Sequence, residues 1–135
     1  MKDQKTSKCS LDTNCLVALV IDERPKERKE VERIIKSKTC FISNIVIIEL
    51  EYVLRKMYGF SREDVAHSIR GIICLTNVEC EKGLIFIVLR DYEDYNALSF
   101  SDILIAHTSK TAGFSPLYTY DKKLYGKLSH LAKLP

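Results

Sequence analysis

The sequence predicts an α/β fold, a central and mostly parallel sheet flanked by helices. Three observations carry this. The chain has 135 residues, the size of one globular domain. Short β-branched or aromatic runs alternate with longer segments in which apolar residues recur at helical spacing. Consecutive strands separated by helices require parallel pairing, because only a long crossover returns the chain to the same end of the sheet.

The elements follow in order. Residues 1–7 are polar and are expected to be flexible, ahead of a single domain that occupies the rest of 1–135. Residues 9–11 form the end of a short strand, starting near Lys8. Asp12 or Thr13 is placed to cap a helix through the apolar run 15–21. Pro25 suits the first turn of a second helix, whose apolar positions Val31, Ile34 and Ile35 stand among Lys, Glu and Arg. Residues 39–42 are β-branched and aromatic enough for a second strand. Ser43 or Asn44 caps the next helix, which runs past Glu49 to Lys56 and ends at Gly59. Ser61 and Asp64 have the spacing of a capping box, so a helix follows to about Ile73. Residues 75–78 are a weak strand candidate and 79–91 a helix. Ser99 or Ser101 caps a helix that Gly113 stops. Residues 116–120 read as the last buried strand, and Leu128, Leu131 and Leu134 cover a final short strand or edge.

Composition narrows the function. Hydrophobic residues make up 46% and charged residues 29%, and the formal charge is +3, which permits nucleic-acid binding without demanding it. The five cysteines, Cys9, Cys15, Cys40, Cys74 and Cys80, are odd in number and form no CxxC pair, so reduced, structural thiols are expected. The N-terminal residues lack a signal-peptide apolar run, and no apolar stretch is long enough to span a membrane. A cytoplasmic protein is the resulting expectation. No phosphate-binding GxxxxGK[ST] loop or dinucleotide GxGxxG turn occurs. His67, His107 and His130 are isolated in sequence and are assigned to core or surface roles. Cys15 has no nearby histidine to make it a nucleophile.

Most acids lie in mixed charged runs and face solvent. Four do not. Asp12 follows a strand and precedes an apolar helix, Glu49 follows Ile-Val-Ile-Ile beside Ile45 and Ile48 on the inward side, Asp102 stands in Ser-Asp-Ile-Leu-Ile-Ala, and Asp121 ends Leu-Tyr-Thr-Tyr-Asp. A carboxylate in apolar surroundings needs a compensating partner. Helix capping accounts for Asp12 and Asp121, for Asp102 only if a helix begins there, and poorly for Glu49, and no Arg or Lys occurs over 44–48 or 97–108. Carboxylates that converge repel one another unless cations neutralise them, and hard oxygen ligands favour Mg²⁺ or Mn²⁺.

On these residues the sequence resembles a known family. Leu11-Asp12-Thr13-Asn14, then Ile42-Ser43 with Glu49-Leu50 six residues after the serine, then Phe100-Ser101-Asp102-Ile103-Leu104-Ile105-Ala106, then Thr119-Tyr120-Asp121-Lys122-Lys123-Leu124 stand in the order of the PIN-domain ribonucleases. The likeness is to the toxin subunit of VapBC-type toxin–antitoxin pairs. It implies a PIN-like sheet and a Mg²⁺- or Mn²⁺-dependent endoribonuclease acting on single-stranded regions of RNA. By the same resemblance Asp12, Glu49, Asp102 and Asp121 are the catalytic, metal-binding acids, and Thr13, Asn14 and Ser43 support them. It further implies a homodimer and a small antitoxin protein that neutralises the enzyme. Asp94 lies where many relatives carry a further acid or a glycine, and its neighbours suggest a loop outside the core set. Lys122, Lys123 and Lys127, with Tyr120 and Tyr125, are candidates for an RNA path. The competing expectation is a non-catalytic PIN-like module that binds RNA or protein. A single-metal phosphatase or DNA nuclease shares the same carboxylate chemistry.

Overall fold

The computed structural model describes residues 7–135. The expectation for 1–7 therefore falls almost wholly outside the described residues. Contacts divide the chain after Glu81 into two compact units.

The first unit contains β1 (Lys8–Ser10), α1 (Thr13–Val20), α2 (Pro25–Ser37), β2 (Thr39–Phe41), α3 (Asn44–Lys56), α4 (Arg62–Ile73) and β3 (Val78–Glu79). The strands form one parallel sheet in the order β1-β2-β3. Two helices separate each strand from the next, long enough for the crossovers that parallel pairing needs. Each helix starts where the sequence supplies a start. Asp12 caps α1, Pro25 opens α2, Ser43 accepts a bond from the Val46 N–H, and Ser61 accepts one from the Asp64 N–H. From α2, Arg28 donates to the Leu19 carbonyl at 2.7 Å and so satisfies an acceptor near the end of α1. Leu16, Val17, Val31, Ile35, Ile47, Leu50, Leu54 and the α4 stripe Val65, Ile69, Ile73 build the core of this unit. Placing these side chains inward sets which residues face out, including Glu49.

The second unit contains α5 (Lys82–Asp94), α6 (Phe100–Thr111), β4 (Leu117–Tyr118), α7 (Lys122–Lys127) and β5 (Ala132–Lys133). Buried Tyr92 and Phe100 meet edge to face, with ring centroids 5.4 Å apart. Ser99 caps α6. At its other end the Phe114 N–H reaches the Ser109 carbonyl and the Gly113 N–H reaches that of Lys110, the paired bonds of a Schellman stop. Gly113 takes φ +89° there, which a residue with a Cβ seldom adopts. β4 and β5 pair in parallel.

All strands are thus parallel, as expected, but the ladder is divided into a sheet of three and a sheet of two. Three expected elements are shifted. The strand expected over 75–78 is Val78–Glu79. The helix expected over 79–91 starts at Lys82, because Val78 and Glu79 pair with β2. It runs on to Asp94, so that residue ends a helix instead of lying in a loop. The strand expected over 116–120 is only Leu117–Tyr118 and is not buried: Tyr118 is 64% exposed. Among the described residues it pairs only with the two-residue β5, the final short strand expected near Leu131.

Candidate functional site

In the first unit the chain leaves the carboxyl end of β1 and turns directly into α1. That turn is Asp12. Its Oδ1 accepts the Thr13 N–H at 2.7 Å, which fixes the carboxylate against the first turn of the helix. The carboxyl ends of parallel strands are where ligands bind in open α/β sheets. Thr13, only 7% exposed, donates its hydroxyl to Glu49 Oε1 at 2.5 Å. Asp12, Thr13, Asn14, Ile48, Glu49, Tyr52 and Val53 line a cleft of about 470 Å³. A second hollow of about 310 Å³ is lined by Asp12, Ser43, Phe41 and Val46 among others. Asp12 borders both.

The premise that the four acids sit inward is corrected. Asp12, Glu49 and Asp121 are exposed and Asp102 is half-buried. Ile45, expected on the inward side with Glu49, is 70% exposed, and Ile48 is half-buried. The buried stripe of α3 is Ile47, Leu50 and Leu54. A helix turns about 100° per residue, so a residue between two inward ones along the chain can point away from the core. Local apolar sequence is therefore a poor guide to the face on which Glu49 lies.

Two of the acids cap helices and a third stands in the first turn of one. Asp12 caps α1. Asp121 caps α7, accepting the Lys123 and Leu124 N–H groups at 2.9 and 3.2 Å. Asp102 stands in the first turn of α6, where its N–H donates to Ser99 Oγ at 3.1 Å. A carboxylate in a first turn is favoured by the unpaired N–H groups and dipole there. Of the expected supporting residues, Thr13 holds Glu49, Asn14 lines the cleft, and Ser43 acts as the cap of α3 while lining the hollow next to Asp12. Asp12 and Glu49 are brought to one cleft within the first unit. Asp102 and Asp121 begin two different helices of the second. Asp94 is exposed at the end of α5.

One polar pair had no forewarning. Asp91 on α5 and His107 on α6, each 8% exposed, meet at 2.6 Å between Oδ2 and Nε2. His107 therefore has the core role that was one of the two expected for it. Both residues continue the apolar stripes of their helices at i+3 or i+4 from Val88 and Ile103. That placement was the only available signal, since sixteen residues separate the two.

Among the described residues no group of three or more His, Cys, Asp or Glu side chains is gathered to hold a metal ion. The Asp12–Glu49 cleft nevertheless has the donor chemistry that Mg²⁺ or Mn²⁺ takes. Its charged groups are carboxylates, and Mg²⁺ is commonly bound through one or two carboxylates, with waters and substrate phosphates completing its shell. Each carboxylate carries about four acceptor sites, so the single bonds from the Thr13 N–H and hydroxyl leave capacity on both.

Among the described residues no helix is long and apolar enough to cross a membrane. No curated protein matches the chain. Among solved structures, the VapC20 toxin of Mycobacterium tuberculosis, described as cleaving the sarcin–ricin loop, aligns at 20% identity with a TM-score of 0.39, covering 90% of this chain and 95% of that one. The family model described as the PIN domain matches residues 10–129, from the end of β1 through α7. With a match that spans nearly the whole described chain, the protein belongs to the PIN-domain family.

Proposed function

We propose that this chain is a metal-dependent endoribonuclease, the toxin of a VapBC-type pair, which hydrolyses phosphodiester bonds in single-stranded regions of RNA and is neutralised by a small antitoxin. The observation that carries the reading is the cleft shared by Asp12 and Glu49, with Glu49 held by the Thr13 hydroxyl, in a chain of the PIN-domain family. The proposed ligands to Mg²⁺ or Mn²⁺ are Asp12, Glu49, Asp102 and Asp121, the two units acting as one domain in a cytoplasmic homodimer. When bound, the ion supplies Lewis-acid stabilisation of the charge that builds on the scissile phosphate.

The chain's own groups prepare that event. The α1 backbone holds Asp12, and Thr13 fixes one oxygen of Glu49, so neither carboxylate has to be ordered at the moment of reaction. Lys122 and Lys123 on α7 are exposed beside Tyr120, which is 79% exposed. Cations and a free ring of this kind suit phosphates and unstacked bases.

Purified full-length protein is expected to cleave single-stranded RNA with Mg²⁺ or Mn²⁺ and to stop when EDTA is added. Glu49→Gln and Asp102→Asn should each abolish cleavage with the fold retained. Full activity in either variant overturns the ligand assignment.

A second reading is favoured by the capping bonds of Asp12 and Asp121, which give two of the four acids a structural task. In that reading the chain is a non-catalytic module that binds RNA or protein. RNA binding without cleavage at any metal concentration, across several RNA types, would select it.

A further inference from the structure

β1 and β2 pair in parallel with Cys9 directly opposite Cys40. Neighbouring strands lie about 4.8 Å apart, inside the window of about 4.4–6.8 Å between Cα atoms that a disulfide requires. The two side chains share a face of the sheet and already touch. The Cys9 thiol donates to Cys40 Sγ at 3.4 Å, and the Cys40 thiol donates to the Lys38 carbonyl at 3.6 Å. Both are free thiols, and the nuclease reading makes no use of either.

We propose that Cys9 and Cys40 are a redox-active pair that closes to an intramolecular disulfide when the protein meets a peroxide. The two thiols differ in access. Cys40 is fully buried, whereas Cys9 is half-buried. Burial, reinforced by the Cys9 thiol beside it, pushes the Cys40 thiol up to about 11. Cys40 is thus the shielded group, and the first oxidation falls on Cys9, the thiol of the two that an oxidant can reach.

The Cys9 sulfur attacks one peroxide oxygen, the O–O bond breaks, and a sulfenic acid and one water result. The Cys40 sulfur then attacks the Cys9 sulfur. The S–S bond forms, and the hydroxyl departs with the Cys40 proton as a second water. The two thiols are oxidised by two electrons in total and the peroxide is reduced by two. Contact between the sulfurs gives the closing step the advantage of an intramolecular reaction. The bond would tie together the two strands whose carboxyl ends lead to Asp12 and Ser43. A thiol reductant would reverse it.

The test uses the full-length reduced chain and needs no RNA, so it stands apart from the nuclease reading. The protein is treated with hydrogen peroxide, remaining thiols are alkylated, and the chain is mapped by non-reducing peptide mass spectrometry. The free thiols should fall from five to three, with one Cys9–Cys40 cross-linked peptide in a monomeric chain, restored by dithiothreitol. A variant with Cys15, Cys74 and Cys80 all changed to Ser should behave the same. Cys9→Ser should leave Cys40 as a free thiol. Because Cys40→Ser places a hydroxyl in the core, the mapping of the unsubstituted chain is the deciding measurement. Sulfinic acid at Cys9 without a cross-link, linkage only between chains through exposed Cys74, or five thiols still free would each overturn the proposal.

Discussion

Thr13 and Glu49, 36 residues apart in sequence, are joined by a hydroxyl-to-carboxylate hydrogen bond of 2.5 Å. The bond links the first residue of α1 to the outer face of α3 and fixes one oxygen of a carboxylate that is otherwise open to solvent. An exposed glutamate samples several rotamers, so this bond sets the position of the acid more than burial does.

The first prediction tests that bond. Thr13→Val keeps the side chain's shape but removes the donor. Losing a partner that orients a metal ligand typically costs about 10–100-fold in activity or metal affinity. That loss is expected in RNA cleavage or in Mn²⁺ titration, with recovery in Thr13→Ser. A Thr13→Val protein with unchanged Mn²⁺ affinity and cleavage would show that the bond is only structural.

Asp121 allows capping to be separated from chemistry. Asn caps about as well as Asp, whereas Ala forfeits about 1 kcal/mol. Asp121→Asn should therefore melt like the parent chain and Asp121→Ala measurably lower. If Asp121 also serves the metal, both variants lose cleavage. If it is only a cap, Asp121→Asn remains active.

The Asp91–His107 pair is expected to hold α5 against α6. Removing one partner of a buried hydrogen-bonded pair leaves the other unsatisfied and costs about 1–3 kcal/mol. Urea unfolding of Asp91→Asn and of His107→Ala should show losses of that order at unchanged m-value. Replacing both by Leu should cost well under the sum of the single changes, because no orphaned polar group remains. Additive losses would mean that the two side chains do not act as a pair.

Gly113 is needed for its backbone. Nothing lies within 4 Å of the position a Cβ would take, yet φ is +89°. Gly113→Ala therefore meets no steric neighbour but still pays for a left-handed conformation, about 1–2 kcal/mol. A fall in melting temperature is expected. An unchanged melting temperature would mean that α6 can end by another route.

Much of this protein was legible in the sequence because its signals are local. Asp12, Ser43, Ser61 and Ser99 mark helix starts through bonds made within three residues, and Gly113 marks a stop through its own dihedral angle. Helical spacing and the strand–helix alternation then yield a parallel α/β fold, and the ordered acid motifs point to the PIN family. Tertiary structure alone decided three things. It turned Glu49 to the outer face of α3, because the packing of Ile47, Leu50 and Leu54 sets the rotation of that helix. It brought Thr13 to Glu49 and His107 to Asp91, contacts between elements far apart in the chain that carry no signature at short range. It also set Cys9 opposite Cys40, since strand register depends on how whole elements pack and not on the residues that happen to face each other.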